Sequence, residues 1–189
     1  MESKVEPFYY KPALEVRAFA VKEKFYRLLE EGLVDESNLR GRVLDIGVGY
    51  GGSYTVLRQF SDDVTGIEPQ GEFAEGLICN GIVPADKLSR KSPLGYLESQ
   101  HDGTFDFISG LLLSKEHYMQ LQKLYKASLS KLKVGGQLLF TFDRSVMPKN
   151  YVISLTEILN EGDDKVLPSL LELKGFGQDD IALMATKSH

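Results

Sequence analysis

The chain has 189 residues, 42% of them hydrophobic and 26% charged, and 22 Lys+Arg against 27 Asp+Glu leave a formal charge of −5. That suits one domain built on a single core, and an acidic chain lacks the broad basic footprint of a nucleic-acid binder. The one cysteine, Cys79, rules out an internal disulfide and a cysteine-based zinc cluster, and reads as a small buried apolar residue on a helix.

Residues 1–12 read as irregular, with Pro7 and Pro12 fencing Phe8, Tyr9 and Tyr10. No apolar core like that of a signal peptide stands there, and no run approaches the ~18 apolar residues of a membrane span. The expectation is a cytoplasmic protein with no membrane partner. From Ala13 to Glu31 the residues Leu14, Ala18, Val21, Phe25, Leu28 and Leu29 recur at helical spacing, and Gly32 marks a stop.

Strands and helices then alternate. "RVLDIG" reads as strand one, followed by a helix from the N-cap residue Ser53 to Phe60. "DVTGIEP" is strand two, and a helix covers Gln70 to Asn80. "GIVPADKL" holds a weak third strand, confined to an edge by Pro84. "TFDFISG" is strand four, and a helix from Lys115 to Leu132 shows Tyr118, Leu121, Tyr125, Leu129 and Leu132 on one face. "GGQLLFTFD" is strand five, entered through a turn at Gly135-Gly136. A helix near Tyr151 to Leu159 follows, "KVLPSLLELKGF" reads equally as helix or strand, and "DIALMATK" is a last strand. The alternation predicts an α/β fold, a mostly parallel sheet covered by helices on both faces, in a single domain over 1–189. Within it, residues 1–32 form an N-terminal lid and helix, 40–143 a ligand-binding core, and 144–189 a C-terminal helix and strand. Ligands of such sheets bind beyond the carboxyl ends of the strands.

The chemistry concentrates in "VLDIGVGYGG", with glycines at 47, 49, 51 and 52. Gly47, Gly49 and Gly52 match G-x-G-x-x-G, but a phosphate loop needs a following lysine, and the chain reads Gly51-Gly52-Ser53. A carboxylate at Asp45 would repel a pyrophosphate held just beyond it, which disfavours a nicotinamide dinucleotide. It suits a ligand that is cationic there, such as the sulfonium and ammonium of S-adenosyl-L-methionine, with glycines letting the backbone pass close beneath. Glu68 ends strand two, 68 − 45 = 23 positions on. An acid there can accept hydrogen bonds from both ribose hydroxyls.

On these residues the sequence resembles the class I S-adenosylmethionine-dependent methyltransferases. "VLDIGVGYGG" is similar to the family's first motif, "VTGIEP" to its second, "GTFDFISGLLL" to its fourth segment opened by Asp106, and "LSKLKVGGQLLFTF" to the entry of strand five. The resemblance covers about 40–143. It implies a Rossmann-like, doubly wound sheet of about seven strands with an antiparallel last strand. It also implies S-adenosyl-L-methionine as cofactor. Asp45 and Ile46 would face its methionine part, Gly47, Gly49 and Gly51 would form the floor, and Glu68 and Pro69 would hold the ribose. Asp86 and Lys87 would sit beside the adenine, and Ser109 and Gly110 under the sulfonium.

Methyl transfer is an in-line displacement, so positioning and desolvation dominate, and a base is needed only when the acceptor must lose a proton. "SGLLLS" stands where the asparagine-proline-proline-aromatic motif for base and glutamine amino groups would be, and a proline-cysteine nucleophile is absent. A small-molecule acceptor is expected, with no nucleic-acid partner. His117, just past strand four, is the candidate base; its bland alternative is a solvated histidine at a helix start. Phe8, Tyr9 and Tyr10 are candidates for a lid. The rival reading is a cofactor-binding regulatory or scaffolding protein that does not methylate.

Overall fold

The computed structural model describes residues 11–113, 117, 120–143, 166–173 and 180–188. Helix α1 (Lys11–Glu30) buries Phe25 and Leu28 completely. Gly32, at φ 69°, ends it: its N–H donates to the Leu29 carbonyl and the Leu33 N–H to that of Leu28, the paired closure that a left-handed glycine permits. A short helix that the sequence pattern does not signal, α2 (Glu36–Leu39), starts where the Asp35 carboxylate accepts from the Ser37 N–H at 2.8 Å.

Seven strands form one sheet: β1 (Val43–Ile46), β2 (Val64–Ile67), β3 (Leu88–Ser89), β4 (Phe105–Gly110), β5 (Leu132–Asp143), β6 (Val166–Leu173) and β7 (Asp180–Lys187), in the order β3-β2-β1-β4-β5-β7-β6. β1 runs parallel to both β2 and β4, and β7 runs antiparallel to both β5 and β6. The order reverses at β1 and β4, so their carboxyl tips flank the crevice where such sheets hold ligands. The remaining helices are α3 (Gly52–Leu57), α4 (Gly71–Cys79), α5 (Pro93–Glu98) and α6 (Leu121–Lys131).

Side-chain alternation sorts the strands into two core layers. Val43, Phe107 and Leu139 pack with Phe25, Leu28, Tyr54 and Leu57 of α1 and α3. Leu44, Ile46, Ile108 and Phe140 pack with Leu97 of α5 and with Leu121 and Leu124 of α6, and Phe105 joins them because the register shift between it and Phe107 breaks the alternation. The parity puts Asp45 on the Val43 side, facing α3.

Several expectations are corrected here. The weak third strand begins only at the last residue of "GIVPADKL": residues Ala85–Lys87 form a 3-10 turn and β3 starts at Leu88, at the edge of the sheet. Ser53 is not the N-cap of α3; that place belongs to Gly51 at φ 83°, and the Ser53 hydroxyl is used elsewhere. Gly135-Gly136 is no entry turn but lies inside β5, where the register to β4 shifts between the Phe105 and Phe107 pairs. Cys79 is exposed at the end of α4, not buried. Within the ambiguous segment, "VLPSLLEL" is a strand. The helix expected over Tyr151–Leu159 lies outside the described residues. Among the described residues, no helix is long and apolar enough to cross a membrane.

Helix α1 sits against the start of α3. A Cβ at Gly52 would lie 2.5 Å from the Ala18 carbonyl oxygen and 2.8 Å from the Val21 Cβ. Neither can yield cheaply, because both belong to a packed helix. Gly52→Ala is therefore expected to lower stability by about 1–3 kcal/mol in denaturant unfolding. At Gly71 nothing lies within 4 Å of an added Cβ, and Gly71→Ala is expected to raise stability by about 0.5 kcal/mol.

Candidate functional site

A cavity of about 400 Å³ opens beyond the carboxyl tips of β1, β2 and β4. Gly47 and Gly49 form its floor, at φ 72° and 53°, a region that side chains with a Cβ rarely enter. The loop bends back over β2 because the N–H groups of Gly47 and Val48 both donate to the Ile67 carbonyl, at 2.9 and 3.1 Å. Glu68, Pro69, Gln70 and Phe73 line one side, Ser92, Pro93 and Leu94 another, and Leu112, Leu113, His117, Gln120 and Leu124 the side beyond β4.

Glu68 is almost fully buried, yet it reaches the cavity. Its Oε2 accepts from the Gly49 N–H and its Oε1 from the Gln70 N–H, both at 2.9 Å. A carboxylate offers about four acceptor positions, so two bonds leave each oxygen able to accept another. The same carboxylate thus fixes the glycine loop and keeps capacity toward the cavity.

Asp45 has no surface at all. Its Oδ2 accepts from Ser53 Oγ at 2.6 Å and its Oδ1 from Ser109 Oγ at 2.9 Å, so it ties the first turn of α3 to β4. Burial raises its pKa from the ordinary aspartate value to about 6, the two hydroxyls pull it back, and the Glu68 charge adds to the rise. It is not a lining residue; it lies on the α3 side of the sheet, where strand parity sends it.

The sequence-derived site residues divide accordingly. Gly47, Gly49, Glu68, Pro69 and His117 come together on the cavity wall. Ile46 is a core residue of the opposite layer from Asp45. Gly51 is covered: an added Cβ would lie 2.5 Å from Ile82 Cγ2 and 3.1 Å from Leu77 Cδ2. Ser109 is spent on Asp45, and Gly110 is covered by Leu113, whose Cδ2 would lie 2.9 Å from an added Cβ. Asp86 and Lys87 are corrected outright. They precede β3, which runs parallel to β2, so they sit at the amino end of the sheet, away from the cavity. Lys87 Nζ pairs there with Asp63 at 3.1 Å. Asp106 is likewise at the amino end, accepting from the Arg42 N–H and Lys133 Nζ, both at 2.7 Å.

Sequence reasoning missed Gln70, Phe73, the Ser92–Leu94 corner, Leu112, Leu113, Gln120 and Leu124. One signal was available: Ser92-Pro93 is a cap followed by a first-turn proline, and Ser92 Oγ accepts from the Gly95 N–H at 3.2 Å. The rim carries a further link. Tyr50 of the glycine loop packs edge-on against Phe73, ring centroids 5.1 Å apart, and Arg17 of α1 donates to its hydroxyl at 2.8 Å while lying 5.3 Å from its ring centre. The proposed lid residues Phe8, Tyr9 and Tyr10 lie outside the described residues.

No family model and no curated protein matches the sequence. Solved structures do match. A S-adenosylmethionine-dependent methyltransferase from Archaeoglobus fulgidus shares 16% identity over 95% of this chain and 100% of its own, with a TM-score of 0.66. The N-methyltransferase NodS from Bradyrhizobium japonicum WM9 shares 14% over 90% and 97%, with a TM-score of 0.64. An rRNA methylase from Streptococcus thermophilus shares 15% over 96% and 99%, with a TM-score of 0.58. The chain has the Rossmann-like fold of the class I S-adenosylmethionine-dependent methyltransferases, as the resemblance implies.

The raised pKa of Asp45 has a defined sign. The folded state holds this proton up to about pH 6, the unfolded chain only to its ordinary value near 3.8. Stability linked to Asp45 is therefore fully present below about pH 4 and lost as pH rises through 6. Asp45→Asn keeps the shape and lets the two serines pair with an uncharged group. Relative to wild type, it is expected to gain about 3 kcal/mol of stability between pH 4 and pH 7, measured by urea unfolding of the ligand-free protein across that range.

Proposed function

We propose that the protein is a S-adenosyl-L-methionine-dependent methyltransferase acting in the cytoplasm on a small-molecule acceptor. The observation that carries this reading is Glu68, whose buried carboxylate keeps free acceptor positions toward the cavity beside a floor without side chains. Those positions suit a vicinal diol such as a ribose. Gly47 and Gly49 let a ligand approach the backbone, and Phe73, Pro69 and Leu94 offer flat or apolar surface to an adenine. The cavity volume is that of a small-molecule site.

S-adenosyl-L-methionine, when bound, supplies an electrophilic methyl group on a cationic sulfur. Asp45 contributes a negative group behind the floor, held in place by Ser53 and Ser109 rather than by contact with the ligand. His117 stands opposite that floor: its Cε1 would lie 4.0 Å from a Cβ added at Gly47. From there a ring nitrogen takes the proton of an acceptor hydroxyl, thiol or ring N–H as the nucleophile attacks. Leu112, Leu113 and Leu124 keep that corner apolar, which strengthens the electrostatics inside it. The single cysteine fits a reducing compartment.

Calorimetry is expected to show binding of S-adenosyl-L-methionine and S-adenosylhomocysteine and none of NAD; binding of NAD alone would remove the proposal. Glu68→Gln replaces one acceptor by a donor facing a backbone N–H. It is expected to weaken both adenosyl ligands by about 10- to 100-fold, or 1–3 kcal/mol.

Because proteins of this fold include an rRNA methylase, the acceptor is tested by radiolabelled methyl transfer to a metabolite extract alongside total RNA. Label in the metabolite fraction is expected, and label in RNA alone would reassign the substrate. On the labelled acceptor, His117→Asn is expected to lower kcat by about 100-fold or more with cofactor affinity unchanged. A kcat within about twofold of wild type would return His117 to the role of a wall residue.

A further inference from the structure

Leu112 has φ 54°, and among the described residues no other non-glycine has a positive φ. A left-handed leucine is strained and persists only where its surroundings impose it. What imposes it is Thr141 of β5. The Leu112 N–H donates to Thr141 Oγ1 at 2.9 Å, and the Leu113 N–H donates to the Thr141 carbonyl at 3.1 Å. Thr141 has no exposed surface. It stands one residue past Gly110↔Phe140, the end of the β4–β5 ladder, so its hydroxyl extends the pairing where the strand has stopped. A buried hydroxyl costs stability unless bonded, and a valine would fill the same space in the strand. The residue choice follows from the bond to Leu112.

The reversal at Leu112 folds the chain back over the sheet tip. Leu113 then lies across two glycines, its Cδ2 at 2.9 Å from a Cβ added at Gly110 and 3.8 Å from one added at Gly47. Leu112 itself, 39% exposed, lines the cavity beside it. His117, four residues after Leu113, stands over the same Gly47 floor.

We propose that Thr141 is a positioning residue. Its hydroxyl holds Leu112 left-handed, and so sets the height of the Leu113 roof above Gly47, part of the floor of the cavity that would take the adenosyl ligand. This rests on the cofactor reading given above. Thr141 touches no ligand; it acts through Leu112 and Leu113.

The test uses Thr141→Val, which keeps the shape and loses the acceptor, and Thr141→Ser, which keeps the acceptor. S-adenosylhomocysteine is titrated calorimetrically into each, and exchange of the Leu112 and Leu113 amides is followed by NMR in the ligand-free proteins. Thr141→Val is expected to weaken S-adenosylhomocysteine by about tenfold and to speed exchange of the Leu112 amide. Thr141→Ser is expected to stay within about twofold of wild type in both. Wild-type affinity in Thr141→Val, with wild type itself binding, would overturn the positioning role and leave the cofactor reading standing. An equal loss in Thr141→Ser would overturn it too, because the hydroxyl would not be the cause. Failure of wild type to bind S-adenosylhomocysteine would remove both. If Thr141→Val does not fold, Leu112→Gly reads the same device: glycine needs no clamp, so affinity falls only by the lost leucine wall and Leu112-site amide protection persists. Loss of that protection with Thr141 intact would overturn the proposal.

Discussion

One glutamate carboxylate grips two backbone amides on two different loops, and the geometry of the cavity depends on that grip. Glu68 directly follows β2, and its bonds to Gly49 and Gln70 join the loop after β1 to the turn before α4. Glycines at positive φ are conformationally loose. Without a fixed acceptor, a loop holding Gly47, Gly49 and Gly51 would sample many shapes at the place where a floor is needed. Charge-assisted bonds to main-chain N–H groups are stronger than neutral ones. The carboxylate supplies the order that the glycines give up, while the glycines supply the access that side chains would deny.

Below this floor a second carboxylate does a different task. Asp45 spends both oxygens on serines and none on the cavity. The four acids singled out by the motif pattern therefore have separate physical roles. Glu68 faces the cavity, Asp45 braces α3 against β4, Asp106 braces the amino end of β4 against Arg42 and Lys133, and Asp86 sits before β3. Residue type and spacing do not distinguish these roles. Strand parity and strand direction do.

That distinction marks how far the sequence could be read. The sheet, the position of the glycine loop and the cavity-facing glutamate were legible, because buried parallel strands appear as short apolar runs and tight turns require glycine. The side on which Asp45 lies was also available in principle, since Val43 and Asp45 are two apart on one strand. The motif masks it, because a charge at that place suggests a ligand. Asp86 failed for a different reason: β3 has only two residues, too few for any periodicity, so the boundary was drawn before the turn instead of after it. The reversal at Leu112 and Leu113 was invisible. A left-handed leucine carries no local signature, and its cause, Thr141, lies 141 − 112 = 29 residues away in a strand where threonine is unremarkable.

Among the described residues, helix α1 contributes no cavity wall, yet it is wired to the rim. Arg17 reaches the phenol of Tyr50, whose ring edge rests on Phe73, and Phe73 is part of the wall. A displacement of α1 would therefore reach the mouth of the cavity along two routes, the Arg17–Tyr50–Phe73 side chains and the packing of Ala18 and Val21 on Gly52.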